Sequence, residues 1–142
     1  MAPRALLVED NRGDVELFRT VFDELNAGLE LDVAFHNGTI PNVLADLSQS
    51  APESLPKIIF LDINLPGFSG LEILERIRQS PEIKFVPVVA LTSSGSPSDV
   101  ERAYRLGASG YIVKPMDYDH LYSKVKATLQ FWLDICTVPG RG

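Results

Sequence analysis

Five polar side chains stand where apolar runs stop. Ala5-Leu6-Leu7-Val8 ends at Glu9-Asp10, Ile58-Ile59-Phe60-Leu61 at Asp62, the run at 86–91 at Thr92, and Tyr111-Ile112-Val113 at Lys114. Three carboxylates in one crevice repel each other, so ionising all of them calls for a compensating cation. Oxygen donors without Cys or His neighbours favour a hard divalent ion, Mg²⁺ first. The Lys114 ammonium and the Thr92 hydroxyl are what the oxygens of an incoming phosphoryl group need, and Asp62 is the nucleophile that would attack it. The product is an acyl phosphate that water later removes. Each residue alone has a plainer reading, with Asp62 or Thr92 as a cap and Lys114 as a solvated lysine. The coincidence at four strand ends favours chemistry.

That coincidence matters only if the runs are parallel strands sharing one rim. Runs at 5–8, 58–61 and 86–91 lack hydrophobic/polar alternation, as strands covered on both faces do. Leu31-Asp32-Val33-Ala34-Phe35 alternates with period two, as expected nearer the sheet edge. Between the strands, Val15, Phe18, Phe22 and Leu25 recur at helical spacing, as do Ile40, Val43, Leu44 and Leu47, and Leu71, Leu74 and Ile77 with Glu72, Glu75, Arg76 and Arg78 outward. A short helix with Val100, Ala103 and Tyr104 follows Gly95-Ser96-Pro97 and stops at Gly107. A longer one places Leu121, Val125, Leu129, Trp132 and Leu133 on one stripe. Leu65-Pro66-Gly67-Phe68-Ser69-Gly70 holds too many Pro and Gly for regular structure and reads as an ordered loop. Strand and helix thus alternate five times, which predicts an α/β fold: a doubly wound five-stranded parallel sheet, order 2-1-3-4-5, flanked by five helices. Its ligands belong in the crevice beyond the carboxyl ends of the strands.

The 142 residues, 45% of them hydrophobic, suit a single domain spanning 1–142. A net charge of −6 without a Lys/Arg run argues against nucleic acid as a partner. One cysteine, Cys136, excludes an internal disulfide and a cysteine zinc cluster, and fits a reducing compartment. His36 and His120 lack ligand-like neighbours and read as structural or surface residues. No secretory h-region and no bilayer-length apolar stretch is present, so the expected location is cytoplasmic, away from the membrane.

Leu7-Val8-Glu9-Asp10-Asn11, Leu61-Asp62-Ile63-Asn64-Leu65-Pro66 with Gly70, Ala90-Leu91-Thr92-Ser93 and Tyr111-Ile112-Val113-Lys114-Pro115 resemble the bacterial response-regulator receiver domain over essentially the whole chain. The resemblance implies a flavodoxin-like fold and phosphorylation of Asp62 from the phosphohistidine of a sensor histidine kinase. The receiver itself would catalyse the transfer and a slow autodephosphorylation, with no separate substrate turnover. It further implies that Asp10, Asp62 and the backbone carbonyl of Asn64 hold Mg²⁺, with Glu9 acting mainly through water. Thr92 and Tyr111 would form the switch pair, and Lys114-Pro115 would be cis. Asn64 and Ser94 fall where the family tunes phosphate loss.

The loop at 48–57 and the ending Phe131-Trp132-Leu133…Thr137-Val138-Pro139 are similar to the small single-domain regulators that partner phytochrome sensor kinases. Residues 131–142 read as a C-terminal extension with surplus apolar groups, which suggests a homodimer through the last helix and tail, or a tail folded back on its own domain. Other function classes fare worse. An aspartyl phosphatase usually carries a second Asp two residues after the nucleophile, where Asn64 stands. A nucleotide or flavin domain lacks its glycine-rich phosphate loop. A receiver-like interaction module that is never phosphorylated remains the alternative.

Overall fold

The computed structural model describes residues 3–34, 55–65, 68–115 and 117–139. Five strands form one parallel sheet: β1 (Arg4–Val8), β2 (Glu30–Ala34), β3 (Ile58–Leu61), β4 (Val88–Thr92) and β5 (Gly110–Val113). Their order across the sheet is β2-β1-β3-β4-β5, as the alternation of elements predicts. β1, β3 and β4 lie inside the sheet and are buried on both faces, which accounts for their unbroken apolar runs. β2 is an edge strand, where alternating side chains suffice.

Four α-helices lie among the described residues: α1 (Arg12–Leu25), α2 (Gly70–Gln79), α3 (Pro97–Arg105) and α4 (Tyr118–Leu129). The expected fifth, with Ile40, Val43, Leu44 and Leu47, lies outside them. Each helix starts on a side chain that accepts an otherwise unpaired amide: Asn11 from Asp14 N–H, Ser69 from Leu71, Ser96 from Asp99, and Asp117 from His120. Val15, Phe18, Val21 and Phe22 of α1 and Leu121, Val125 and Leu129 of α4 cover one face of the sheet together with Leu7 and Phe60. Ile73, Leu74 and Ile77 of α2 cover the other with Leu6, Ile59 and Leu61.

Five details depart from the sequence reading. The stretch around Leu65 is not wholly irregular, because Asn64–Leu65 and Phe68–Ser69 pair as a two-rung antiparallel ribbon. Arg78 does not point outward. Its guanidinium turns back to donate to the carbonyls of Gly107 (2.8 Å), Lys84 (3.0 Å) and Val86 (2.7 Å) and to Ser109 Oγ (3.1 Å). Tyr104 is 51% exposed, so only Ala103 of the apolar residues on α3 is buried. The last helix also changes pitch: Gln130–Ile135 is a π-turn, closed by Cys136 N–H donating to Phe131 C=O at 2.9 Å. Trp132 and Leu133 still lean on the α1–α4 core, whereas Phe131 and Ile135 are 48% and 70% exposed. Val138 is buried. Among the described residues no peptide bond is cis, so Lys114–Pro115 is trans, contrary to what the resemblance implies.

Candidate functional site

Parallel register brings the reactive groups to one rim. Val8 pairs with Leu61, Leu61 with Ala90, and Thr92 with Val113. Backbone bonds carry the ladder one step beyond the strands: Glu9 N–H donates to Ala34 C=O, Asp62 N–H to Val8 C=O at 3.0 Å, and Lys114 N–H to Thr92 C=O at 2.7 Å. Glu9, Asp62 and Lys114 are therefore fixed at the backbone before any side-chain interaction is counted. Glu9, Asp10, Asp62, Thr92 and Lys114 lie at this rim, with Tyr111 two pairs further down β5.

Glu9, Asp62 and Thr92 are the buried polar side chains of the described residues, and Asp10 is half-buried. Carboxylate oxygens of Glu9, Asp10 and Asp62 lie within 4.8 Å of one another. Glu9 Oε1 accepts from the Asp10 and Asn11 amides at 3.0 and 3.1 Å. Asp62 Oδ1 accepts from Asn64 N–H at 2.9 Å. Lys114 Nζ donates to Glu9 Oε2 at 2.5 Å, Asp14 Oδ2 at 2.7 Å and Asp62 Oδ2 at 3.1 Å. Asn64 Nδ2 donates to Thr92 Oγ1 at 3.1 Å, and the Tyr111 hydroxyl donates to Ser94 C=O at 2.6 Å.

These contacts set the electrostatics. Burial disfavours the Glu9 anion and lifts its pKa to about 7; the nearby Asp62 charge adds to this, while Lys114 and the Asn11 amide oppose it. Burial also works against the Lys114 ammonium, but the hydrogen bonds to Asp14 and Glu9 and the charge of Asp62 outweigh it and raise its pKa. Burial raises the Tyr111 phenol, which stays a neutral donor.

The donor set suits a divalent cation. It consists of oxygen alone, carries more negative charge than one ammonium neutralises, and leaves the Asp10 carboxylate without a partner among the described residues. A backbone constraint shapes the same place. A Cβ on Gly70 would sit 2.3 Å from Asp62 C=O, so only glycine lets the start of α2 approach the turn after Asp62 this closely.

Asp14 is the member of the cluster that the sequence analysis does not single out. One signal for it was available. A carboxylate in the first turn of a helix that begins at the rim lies beside whatever the rim holds.

Comparison with known proteins gives a consistent picture. The profile described as "Response regulator receiver domain" matches residues 5–126. The response regulator Rcp1 of Synechocystis sp. is 33% identical over 134 residues, which cover 94% of this chain and 91% of Rcp1. Its Mn²⁺-bound crystal structure superposes with a TM-score of 0.79 at 34% identity, covering 96% and 99% of the two chains. The phosphorylated cyanobacterial phytochrome response regulator RcpA gives a TM-score of 0.84 at 31% identity over 98% of this chain and 99% of its own. The probable methanogenesis regulatory protein FilR2 of Methanothrix harundinacea is 32% identical over 135 residues, 95% of this chain and 86% of FilR2.

Proposed function

Because the chain belongs to the response regulator receiver family, we propose that Asp62 is its phosphoacceptor and that the phosphoryl group comes from the phosphohistidine of a sensor histidine kinase. The observation that carries this reading is the placement of Asp62: 6% exposed at the end of β3, with an ammonium on one oxygen and two further carboxylates within 4.8 Å.

In the transfer, a carboxylate oxygen of Asp62 attacks phosphorus while the P–N bond to the kinase histidine breaks. The bonding electrons leave with the imidazole, and the new O–P bond makes the acyl phosphate. Lys114 places its positive charge beside the oxygens that gather negative charge, and the Thr92 hydroxyl exchanges Asn64 for one of them. Asp10, Asp62 and the backbone carbonyl of Asn64 would hold Mg²⁺, with Glu9 acting through water; bound there, the ion would supply positive charge to offset the charge of the phosphoryl group. Water later hydrolyses the acyl phosphate and returns Asp62 to the carboxylate.

The output follows from the switch pair. When Thr92 turns toward the phosphoryl group, the β4–α3 connection that Tyr111 holds through Ser94 C=O is free to follow. The similarity to RcpA and Rcp1 supports a phytochrome-type kinase as the input. Exposed Phe131 and Ile135 support a homodimer through α4 and the tail at 131–142 of a single domain spanning 1–142. A sizing column run with and without beryllofluoride reads that dimer. The location is cytoplasmic, in line with the absence, among the described residues, of a helix long and apolar enough to cross a membrane.

The test of the phosphoacceptor is direct. Acetyl phosphate with Mg²⁺ labels the wild type and leaves Asp62→Asn unlabelled. Wild type that takes up neither acetyl phosphate nor beryllofluoride with Mg²⁺ present overturns the reading.

A further inference from the structure

The Lys114 ammonium has three hydrogens, and Glu9, Asp14 and Asp62 engage all of them. To bond a phosphoryl oxygen on Asp62, the ammonium must advance toward it and loosen its hold elsewhere. Resting on the phosphoacceptor role of Asp62, we propose that Asp14 is a positioning residue: it holds Lys114 in the unphosphorylated domain and gives the ammonium up when a phosphoryl group arrives.

The three partners differ in what release would leave behind. The Glu9 side chain is 2% exposed, so without the ammonium it would be a buried carboxylate held by two amides alone. Asp62 becomes the acyl phosphate, and its share of the ammonium passes to the phosphoryl group it carries. The Asp14 side chain is 43% exposed, so water can take the place of Lys114 there. Asp14 also lies in the first turn of α1, where the helix N-terminus favours a carboxylate with or without Lys114. A small recess lined by Leu7, Leu17, Phe18, Pro115 and Leu121 adjoins the pair and gives the Lys114 stem room to shift.

Asp14 thus stabilises the resting state and not the phosphorylated one. Removing its charge favours phosphoryl binding, the opposite of what loss of a catalytic group does. Measured with saturating Mg²⁺, Asp14→Asn is expected to bind beryllofluoride about two- to fivefold tighter than wild type, the range for a part-exposed ion pair. Glu16→Gln, which removes an exposed charge from the same helix, is expected to match wild type, and Asp14→Glu is expected to return toward it. In wild type the Asp14 carboxyl ¹³C resonance is expected to move on beryllofluoride addition. Unchanged or weaker binding by Asp14→Asn, equal tightening by Glu16→Gln, or a stationary Asp14 resonance overturns the proposal while wild-type binding leaves the phosphoacceptor reading intact. Wild type that fails to bind beryllofluoride removes both.

Discussion

The two ends of the sheet solve the burial of polar groups in opposite ways. At the amino ends of β4 and β5, the Arg78 guanidinium ties α2 to the segments at 84–86 and 107–109 through three carbonyls and one hydroxyl. Burial lowers the Arg78 pKa, but every acceptor it meets is neutral and already in place. At the carboxyl ends, like charges are collected instead, and one ammonium is shared among three carboxylates. The first arrangement is complete as it stands. The second is short of positive charge, as the proposed binding of a cation and a phosphoryl group there requires. Stability and reactivity are thus allotted to opposite rims of the same strands.

This division can be broken experimentally. Arg78→Ala strands the half-buried carbonyls of Gly107 and Val86 at once, and its expected cost is about 2–3 kcal/mol in urea denaturation. Labelling of Asp62 by acetyl phosphate at a temperature where the variant remains folded is expected to persist; loss of labelling in folded protein would show that the two rims are not separate. Mg²⁺ acts on the other rim. At ten to a hundred times its Kd it is expected to stabilise wild type by about 1.4–2.7 kcal/mol, seen as a rise in melting temperature that Asp10→Asn largely loses. An equal rise in Asp10→Asn would place the ion elsewhere. The smallest effect is expected away from both rims. Glu101→Gln breaks the exposed pair with Arg105 and should change stability by only about 0.3–0.5 kcal/mol in the same denaturation assay.

Much of this was legible because it depends on short-range patterns. Unalternating runs mark strands buried on both faces, and once they are parallel, Glu9, Asp62, Thr92 and Lys114 must share a rim whatever the loops do. What could not be read depends on partners distant in sequence or on departures from a mean pitch. Arg78 reaches Ser109, thirty-one positions away, and helical spacing alone placed it outward. Asp14 meets Lys114 across one hundred positions, and nothing in its own neighbourhood announces the pair. A stripe counted at 3.6 residues cannot reveal the wider turn at Gln130–Ile135, which leaves Ile135 exposed while Leu133 stays on the core. The ribbon around Leu65 escaped notice because only two residues on each side pair, and the proximity of Gly70 to the Asp62 carbonyl is a contact that composition does not display.

The register of the sheet also decides where the chain can change length. Glu9, Asp62 and Lys114 each come first after the last paired residue of their strand, and Thr92 is the last paired residue of its own. An added residue in a surface connection moves none of them. An added residue inside β1, β3 or β5 pushes one group past the rim and turns the following side chain to the opposite face of the sheet. Insertions in lineages that keep the site should therefore gather in the connections, and a strand that has gained or lost one residue marks a domain that no longer assembles it.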